Sequence, residues 1–175
     1  MQTIIRDYET IKNFLLGITP DYKGRMYQDI INCDDIVMEQ CHDQVQWMFP
    51  LHEESNYAIT YPIIDKGFKD SLSIQDKYTI WNNLNEATKR MENFYGFNGT
   101  PEYQKTRQVE WCVNGDHNLL RITRIIRCLR LFNCSDTAKN FYKHVIEIGI
   151  KNGIDIRTLQ YWQKAAQDNI WNSLK

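Results

Sequence analysis

The chain has 175 residues, of which 42% are hydrophobic and 25% are charged, as is usual for a globular protein with one substantial core. Its formal net charge of -1 excludes a strong overall attraction to nucleic acid or to an anionic membrane, so any basic site has to be local. Five cysteines, an odd number without disulfide-like spacing, favour a reducing compartment.

The first seventeen residues do not read as a secretory signal, because charged side chains such as Arg6, Asp7 and Lys12 interrupt the apolar residues. No stretch approaches the roughly 18 apolar residues that a membrane span needs. The sequence therefore predicts an intracellular protein, cytoplasmic or nuclear, without a membrane span.

Apolar residues recur at helical spacing through most of the chain. This periodicity predicts seven helices, near residues 3–16, 27–32, 34–49, 74–95, 118–132, 135–152 and 156–170. Residues 52–72 are expected to be a connection with one helical turn, and residues 97–108 a mobile loop. The prediction is all-α, a single compact domain over residues 1–175 with about six or seven helices.

Local signals mark several helix ends. Ser73 and Asp76 have the spacing of a capping box, and Ser135 and Asp155 are expected to cap the last two helices. Gly153 stands where a glycine commonly ends a helix. Apolar stripes are expected at Val37, Cys41, Val45 and Met48, at Tyr78, Trp81, Leu84, Thr88 and Met91, and at Leu159, Trp162, Ala166 and Ile170.

Residues 117–132 carry arginine at every third position, at Arg121, Arg124, Arg127 and Arg130. On a helical wheel the apolar residues gather within an arc of roughly 120°, with Arg124 and Arg127 opposite this arc and the other two at its edges. The edge arginines could pair with carboxylates of neighbouring helices while the outer two are solvated. Alternatively, the face binds an anion or a peptide, and outward-facing Leu120 and Leu131 favour a covering partner.

Metal and catalytic motifs are not evident. The cysteines and histidines lack the paired spacing of a structural zinc site, and no cofactor is predicted. A nucleophile pair formed by a cysteine with His42 or His117 stays open, because such residues meet in space and not in sequence. Asn118 is a candidate N-cap, and His117 is expected to contact nearby backbone.

Four stretches carry a family resemblance: FLLGITPDYKG (14–24), HDQVQWMFPL (42–51), MENFYGF (91–97) and HNLLRITRIIRCL (117–129). Together they resemble the conserved region of the opioid growth factor receptor family, although leucine replaces one asparagine after His117. Vertebrate members are described as receptors for the pentapeptide Met-enkephalin that are associated with the nucleus and the nuclear envelope. The resemblance implies a non-enzymatic intracellular domain that binds a peptide or protein and has opioid-receptor-like activity.

The candidate ligand contacts combine the arginine helix with the end of the HDQVQWMFPL stretch. Trp47 is expected mainly to fill the core, while Pro50 directs the chain out of the helix. The candidate residues are His117, Leu120, Arg121, Arg124, Arg127, Arg130 and Trp47. Two alternatives stay open, a nucleic-acid-binding domain that uses the same basic face and an unrecognised enzyme.

Overall fold

The computed structural model describes residues 2–55 and 58–167, and within them it has ten helices and one two-stranded sheet. The elements are β1 (Thr3–Ile5), α1 (Tyr8–Leu15), α2 (Tyr27–Asn32), α3 (Asp35–Gln40), α4 (Gln44–Met48), β2 (Thr60–Pro62), α5 (Lys66–Ser71), α6 (Ile74–Phe94), α7 (Pro101–Trp111), α8 (Asn118–Leu131), α9 (Ser135–Lys151) and α10 (Ile156–Gln167). The prediction of a mainly helical protein is confirmed, but the number of six or seven helices is wrong and the sheet was not expected.

The chain divides into two compact units, and the division falls within α6. Among the described residues, unit 1 extends to Ala87 and unit 2 starts at Thr88. Each unit buries apolar side chains, for example Leu84 in unit 1 and Met91 in unit 2. A single domain over residues 1–175 stays a prediction.

The first predicted helix starts later than expected because its first residues form a strand. Strand β1 pairs in parallel with β2, in the register Thr3↔Thr60 and Ile5↔Pro62. A run of β-branched residues suits a strand better than a helix. The helix begins only at Tyr8, where the Asp7 carboxylate accepts a hydrogen bond from the amide of Thr10 at 2.9 Å.

Residues 34–49 form two short helices, α3 and α4, instead of one. The backbone leaves helical geometry at Cys41, with φ of -94° and ψ of 85°. The predicted stripe is therefore wrong in its first half, because Met38 is fully buried while Val37 is 36% exposed. Val45 and Met48 are buried as predicted.

Helix α6 begins with the predicted capping box. The Ser73 amide donates to Asp76 Oδ2 at 3.0 Å, and the Asp76 amide donates to Ser73 Oγ at 3.1 Å. Its predicted stripe is correct from Leu84 onward, but Tyr78 and Trp81 are exposed. Ile80 takes the buried position in these turns.

The predicted mobile loop at residues 97–108 is instead mostly part of α7, with Thr100 at its N-cap and Pro101 at its start. In unit 2, helices α8, α9 and α10 pack against one another. The buried Trp162 donates from its indole to the carbonyl of Leu119 at 3.0 Å, and a Cβ on Gly149 would lie 2.8 Å from its ring. These helices position α8 at the centre of unit 2.

The capping residues predicted for the last two helices are only partly correct. Residue Cys134, and not Ser135, occupies the N-cap of α9. Gly153 has a positive φ of 74° after α9, and Asp155 accepts from the amide of Thr158 at 3.1 Å, as predicted. Ile170, the last residue of the predicted stripe, lies outside the described residues.

Candidate functional site

Helix α8 buries most of its circumference. In the predicted apolar arc, Ile122, Ile125, Ile126 and Leu129 are fully buried, while Phe132, at the C-cap, is half-buried. Leu131 lies on the predicted outer face but is also fully buried, so the C-terminal end of that face is covered. Only the remaining surface of the helix is accessible to a ligand.

Arg121 is an interior residue of α8. It is 6% exposed, and its Nη1 donates to Oδ1 of Asn118 at 3.0 Å. Asn118 is itself 1% exposed and is the first residue of the helix, so it does not act as the predicted N-cap. His117 occupies the N-cap, and the side chain of the preceding Asp116 accepts through Oδ1 from the Asn118 amide at 2.7 Å.

The accessible side of α8 is one narrow line of residues. Leu120 is 52% exposed, while Arg124 and Arg127 are half-buried. Together with half-buried Thr123 they follow the spacing i, i+3, i+4 and i+7 that places residues on one side of a helix. We call Leu120, Thr123, Arg124 and Arg127 the α8 stripe.

Among the other candidate residues, Arg130 continues the line of the α8 stripe one turn after Arg127, His117 precedes the helix, and Trp47 belongs to the other unit. His117 is half-buried at the N-cap, with Nδ1 at 3.7 Å from Asp116 Oδ1. Arg130 is half-buried and donates to Ser135 Oγ at 3.1 Å. Trp47 belongs to unit 1, where it is 1% exposed and donates to the carbonyl of Thr60 at 3.3 Å. Its burial fits the expected role in the core and leaves little surface for a ligand.

An ionic cluster around two buried aspartates, Asp21 and Asp43, lies in unit 1 and was not found from the sequence. Asp43 accepts hydrogen bonds from the Tyr22 hydroxyl at 2.6 Å and from Arg25 Nη2 at 2.9 Å, and Lys23 Nζ lies 3.0 Å from the same oxygen. Arg25 also donates from Nε to Asp21 at 2.8 Å. We call Asp21, Tyr22, Lys23, Arg25 and Asp43 the Asp43 cluster.

The Asp43 cluster contains two acidic and two basic side chains, and it packs against the core of unit 1. Burial alone would raise the pKa of Asp43, but the hydrogen bonds from Arg25, Tyr22 and Lys23 outweigh it and lower the pKa to about 2. The Tyr22 ring stacks on Trp47 with centroids 6.2 Å apart. The i,i+4 spacing of Asp21 and Arg25 could have indicated half of this cluster, but the contact with Asp43 could not be read from spacing.

The family comparison covers all of α8 and, within the Asp43 cluster, only Arg25 and Asp43. The model of the opioid growth factor receptor (OGFr) conserved region matches residues 25–171, which is most of the chain. The chain belongs to this family. Three of the four resembling stretches lie inside the matched range, and the stretch at 14–24 precedes it. No curated protein and no solved structure matches the chain significantly.

Three cysteines of this OGFr-type chain are poor nucleophiles. Burial raises the pKa of Cys112 to about 11 and that of Cys134 to about 12, and it raises the pKa of Cys128 well above its usual value. Because the thiolate is the reactive species, these thiols stay inert near neutral pH. His42 and His144 are exposed.

In residues 2–55 and 58–167, no three side chains of the metal-binding types come together as a possible ion site. None of the helices in these same ranges has the length and apolar character to cross a membrane.

Proposed function

We propose that this OGFr-type chain is a binding domain that recognises a peptide or protein segment with a carboxylate through the α8 stripe. One observation carries the proposal: α8 exposes Leu120 at 52% on the same line as two half-buried arginines. Residues 118–131 contain no acidic side chain. No side chain of the helix itself therefore repels a ligand carboxylate.

The chemistry of the stripe suits a carboxylate beside an apolar side chain. A guanidinium group binds a carboxylate through two parallel hydrogen bonds, and partial burial reduces both solvent screening and the entropy that the side chain loses on binding. Leu120 offers an apolar contact about one helical turn away from Arg124. Arg121 supports the N-terminal end of α8 from inside and is not part of the proposed contact surface.

The test is an amide NMR titration of the labelled full-length chain with Met-enkephalin, the peptide that the family resemblance associates with vertebrate members. We expect saturable shifts in residues 120–127 and a weaker response to the C-terminally amidated peptide. Arg124→Gln and Leu120→Ala should each weaken binding about tenfold. Arg157→Gln, at an exposed arginine of α10, is the matched control and should leave the affinity unchanged.

Two results would contradict peptide recognition by the α8 stripe. The first is an absence of shifts at millimolar peptide. The second is tight binding of an oligonucleotide that weakens steeply with salt and disappears on charge reversal at Arg124 and Arg127, which would favour the nucleic-acid alternative. The stripe presents only these two arginines, which is few for a protein that neutralises many phosphates.

A further inference from the structure

Helix α6 carries an exposed apolar line in unit 1. Ile74 is 88% exposed, Tyr78 is 61% exposed and Trp81 is 42% exposed. Their spacing of four and three residues places them within about 60° of one another on a helical wheel. The line extends about 10 Å along the helix axis. We call Ile74, Tyr78 and Trp81 the α6 aromatic stripe.

This stripe is separate from the side of α6 that packs into unit 1. Ile80, Leu84 and Ala87 are fully buried and lie on a different side of the same turns. Helix α6 therefore has one side in the core and a second apolar side in solvent. Aromatic residues are enriched in the centres of protein interfaces, and exposed apolar groups of this kind mark binding surfaces.

The charge beside the stripe is positive. Lys77 is exposed and lies next to Ile74 and Trp81 on the wheel. On α5, burial and the ammonium group of Lys77 lower the pKa of half-buried Lys69, while the Asp70 carboxylate acts in the opposite direction.

The acidic side chains in the same turns of α6 do not lie beside the stripe. Asp76 is held by its hydrogen bonds with Ser73 at the start of the helix. Glu86 accepts a hydrogen bond from Gln28 at 3.2 Å, and it lies roughly 100° around the wheel from the centre of the stripe. Among the charged side chains in these turns of α6, Lys77 is therefore the one that lies beside the α6 aromatic stripe.

We propose that the α6 aromatic stripe docks an acidic amphipathic helix of a partner protein. The apolar side of that helix would pack on Ile74, Tyr78 and Trp81, and its carboxylates would pair with Lys77. Helices dock in this way through apolar residues at i, i+3 or i+4, and i+7. The surface is in unit 1 and does not depend on the proposed function of α8.

The geometry favours a helix over a membrane or a second copy of the chain. The stripe is a narrow line and not the wide apolar side that an interfacial helix inserts into lipid. Asn85 continues the same line, and a polar amide there suits a protein partner better than hydrocarbon. Two copies meeting through this stripe would bring the same lysines together, which is unfavourable.

The experiment uses the full-length chain and two synthetic peptides of 21 residues with identical leucine positions at helical spacing. One peptide has glutamate and the other lysine at the remaining positions. We expect the acidic peptide to shift the indole resonance of Trp81 saturably and the basic peptide to leave it unchanged. Trp81→Ala and Tyr78→Ala should each weaken binding at least about tenfold. Lys77→Glu should reduce or reverse the preference for the acidic peptide.

The matched control is Ile36→Ala, which removes an isoleucine that is 66% exposed on α3, outside the α6 aromatic stripe, and should leave binding unchanged. The proposal is overturned if neither peptide binds, if both bind equally, or if Trp81→Ala leaves binding intact. It is also overturned if only phosphatidylserine vesicles shift the Trp81 resonance, or if the stripe instead mediates self-association. Far-ultraviolet circular dichroism checks that each variant keeps its helices, and Lys77→Glu tests the charge preference with the stripe itself intact.

Discussion

A single carboxylate, that of Asp43, connects two segments of unit 1 that are far apart in the sequence. Its side chain is 6% exposed and is contacted by Arg25 and Lys23. A buried charge is tolerated only when hydrogen bonds replace its hydration, and the Asp43 cluster supplies them. The same cluster supports Trp47 through the ring of Tyr22. Asp43 is therefore important for the stability of unit 1.

The pKa of Asp43 predicts an acid-dependent loss of stability. The folded value of about 2 lies below the unfolded value of 3.8, so the stabilisation is present above pH 3.8 and is lost as the pH falls toward 2. This contribution is at most about 2 kcal/mol. Asp43→Asn should lower the free energy of unfolding by about 2 kcal/mol at pH 6 and flatten its pH dependence between pH 4 and 2.

Urea denaturation at pH values from 6 to 2 measures this effect. Asp70→Asn is the matched control, since Asp70 is an exposed aspartate, and it should keep the pH dependence of the wild type. If Asp43→Asn and the wild type lose stability in parallel between pH 4 and 2, Asp43 does not make the proposed contribution.

At the scale of an element, α7 shows how capping creates a helix from a polar sequence. Thr100 Oγ1 accepts from the amide of Tyr103 at 3.3 Å, and Pro101 begins the helix with its φ already in the helical range. Arg107 lies over the ring of Phe94 at 4.6 Å and donates from Nε to the Phe94 carbonyl at 2.8 Å. Trp111 is the only buried residue of α7. The stability of this helix therefore depends on its local hydrogen bonds more than on packing.

Removal of this cap should loosen α7. Thr100→Ala is expected to cost about 1 kcal/mol and to speed hydrogen exchange of the first α7 amides about fivefold, because one amide loses its acceptor. Thr100→Ser, which keeps a hydroxyl, should restore most of the protection. Equal exchange in both variants would contradict the role of the side chain. Unprotected amides throughout 101–111 in the wild type would instead support the mobile loop that the sequence suggested.

At the scale of the whole molecule, α6 connects two compact units. The helix supplies Leu84 to unit 1 and Met91 to unit 2, and both side chains are fully buried. Helix formation is cooperative along one segment, so loss of either half weakens the other. The proposed binding surfaces differ in location, the α6 aromatic stripe being in unit 1 and the α8 stripe in unit 2.

We expect both units to unfold in one transition, in agreement with the predicted single domain. Fluorine NMR of the fluorotryptophan-labelled chain follows Trp47 in unit 1 and Trp162 in unit 2 during urea denaturation. Their midpoints should coincide. Ala87→Gly, at the division within α6, should lower both midpoints together, since glycine costs about 1 kcal/mol in a helix interior. Separate midpoints would show two independent domains and contradict the prediction.

The sequence by itself determined the family, the helical class and those helix ends that depend on local chemistry. The capping box of Ser73 and Asp76 and the helix end at Gly153 involve residues within a few positions, so spacing is sufficient to find them. The buried apolar arc of α8 likewise followed from its periodicity. These features depend on contacts along the chain.

Only the tertiary structure decided which surfaces are available. A wheel placed Arg121 at an edge and Leu131 outside, but neighbouring segments bury both. The apolar stripe predicted for α6 included Tyr78 and Trp81, although unit 1 leaves them exposed. The pairing of β1 with β2 joins residues more than fifty positions apart. Periodicity shows only that a helix has an apolar side, whereas burial depends on packing partners that are distant in the sequence.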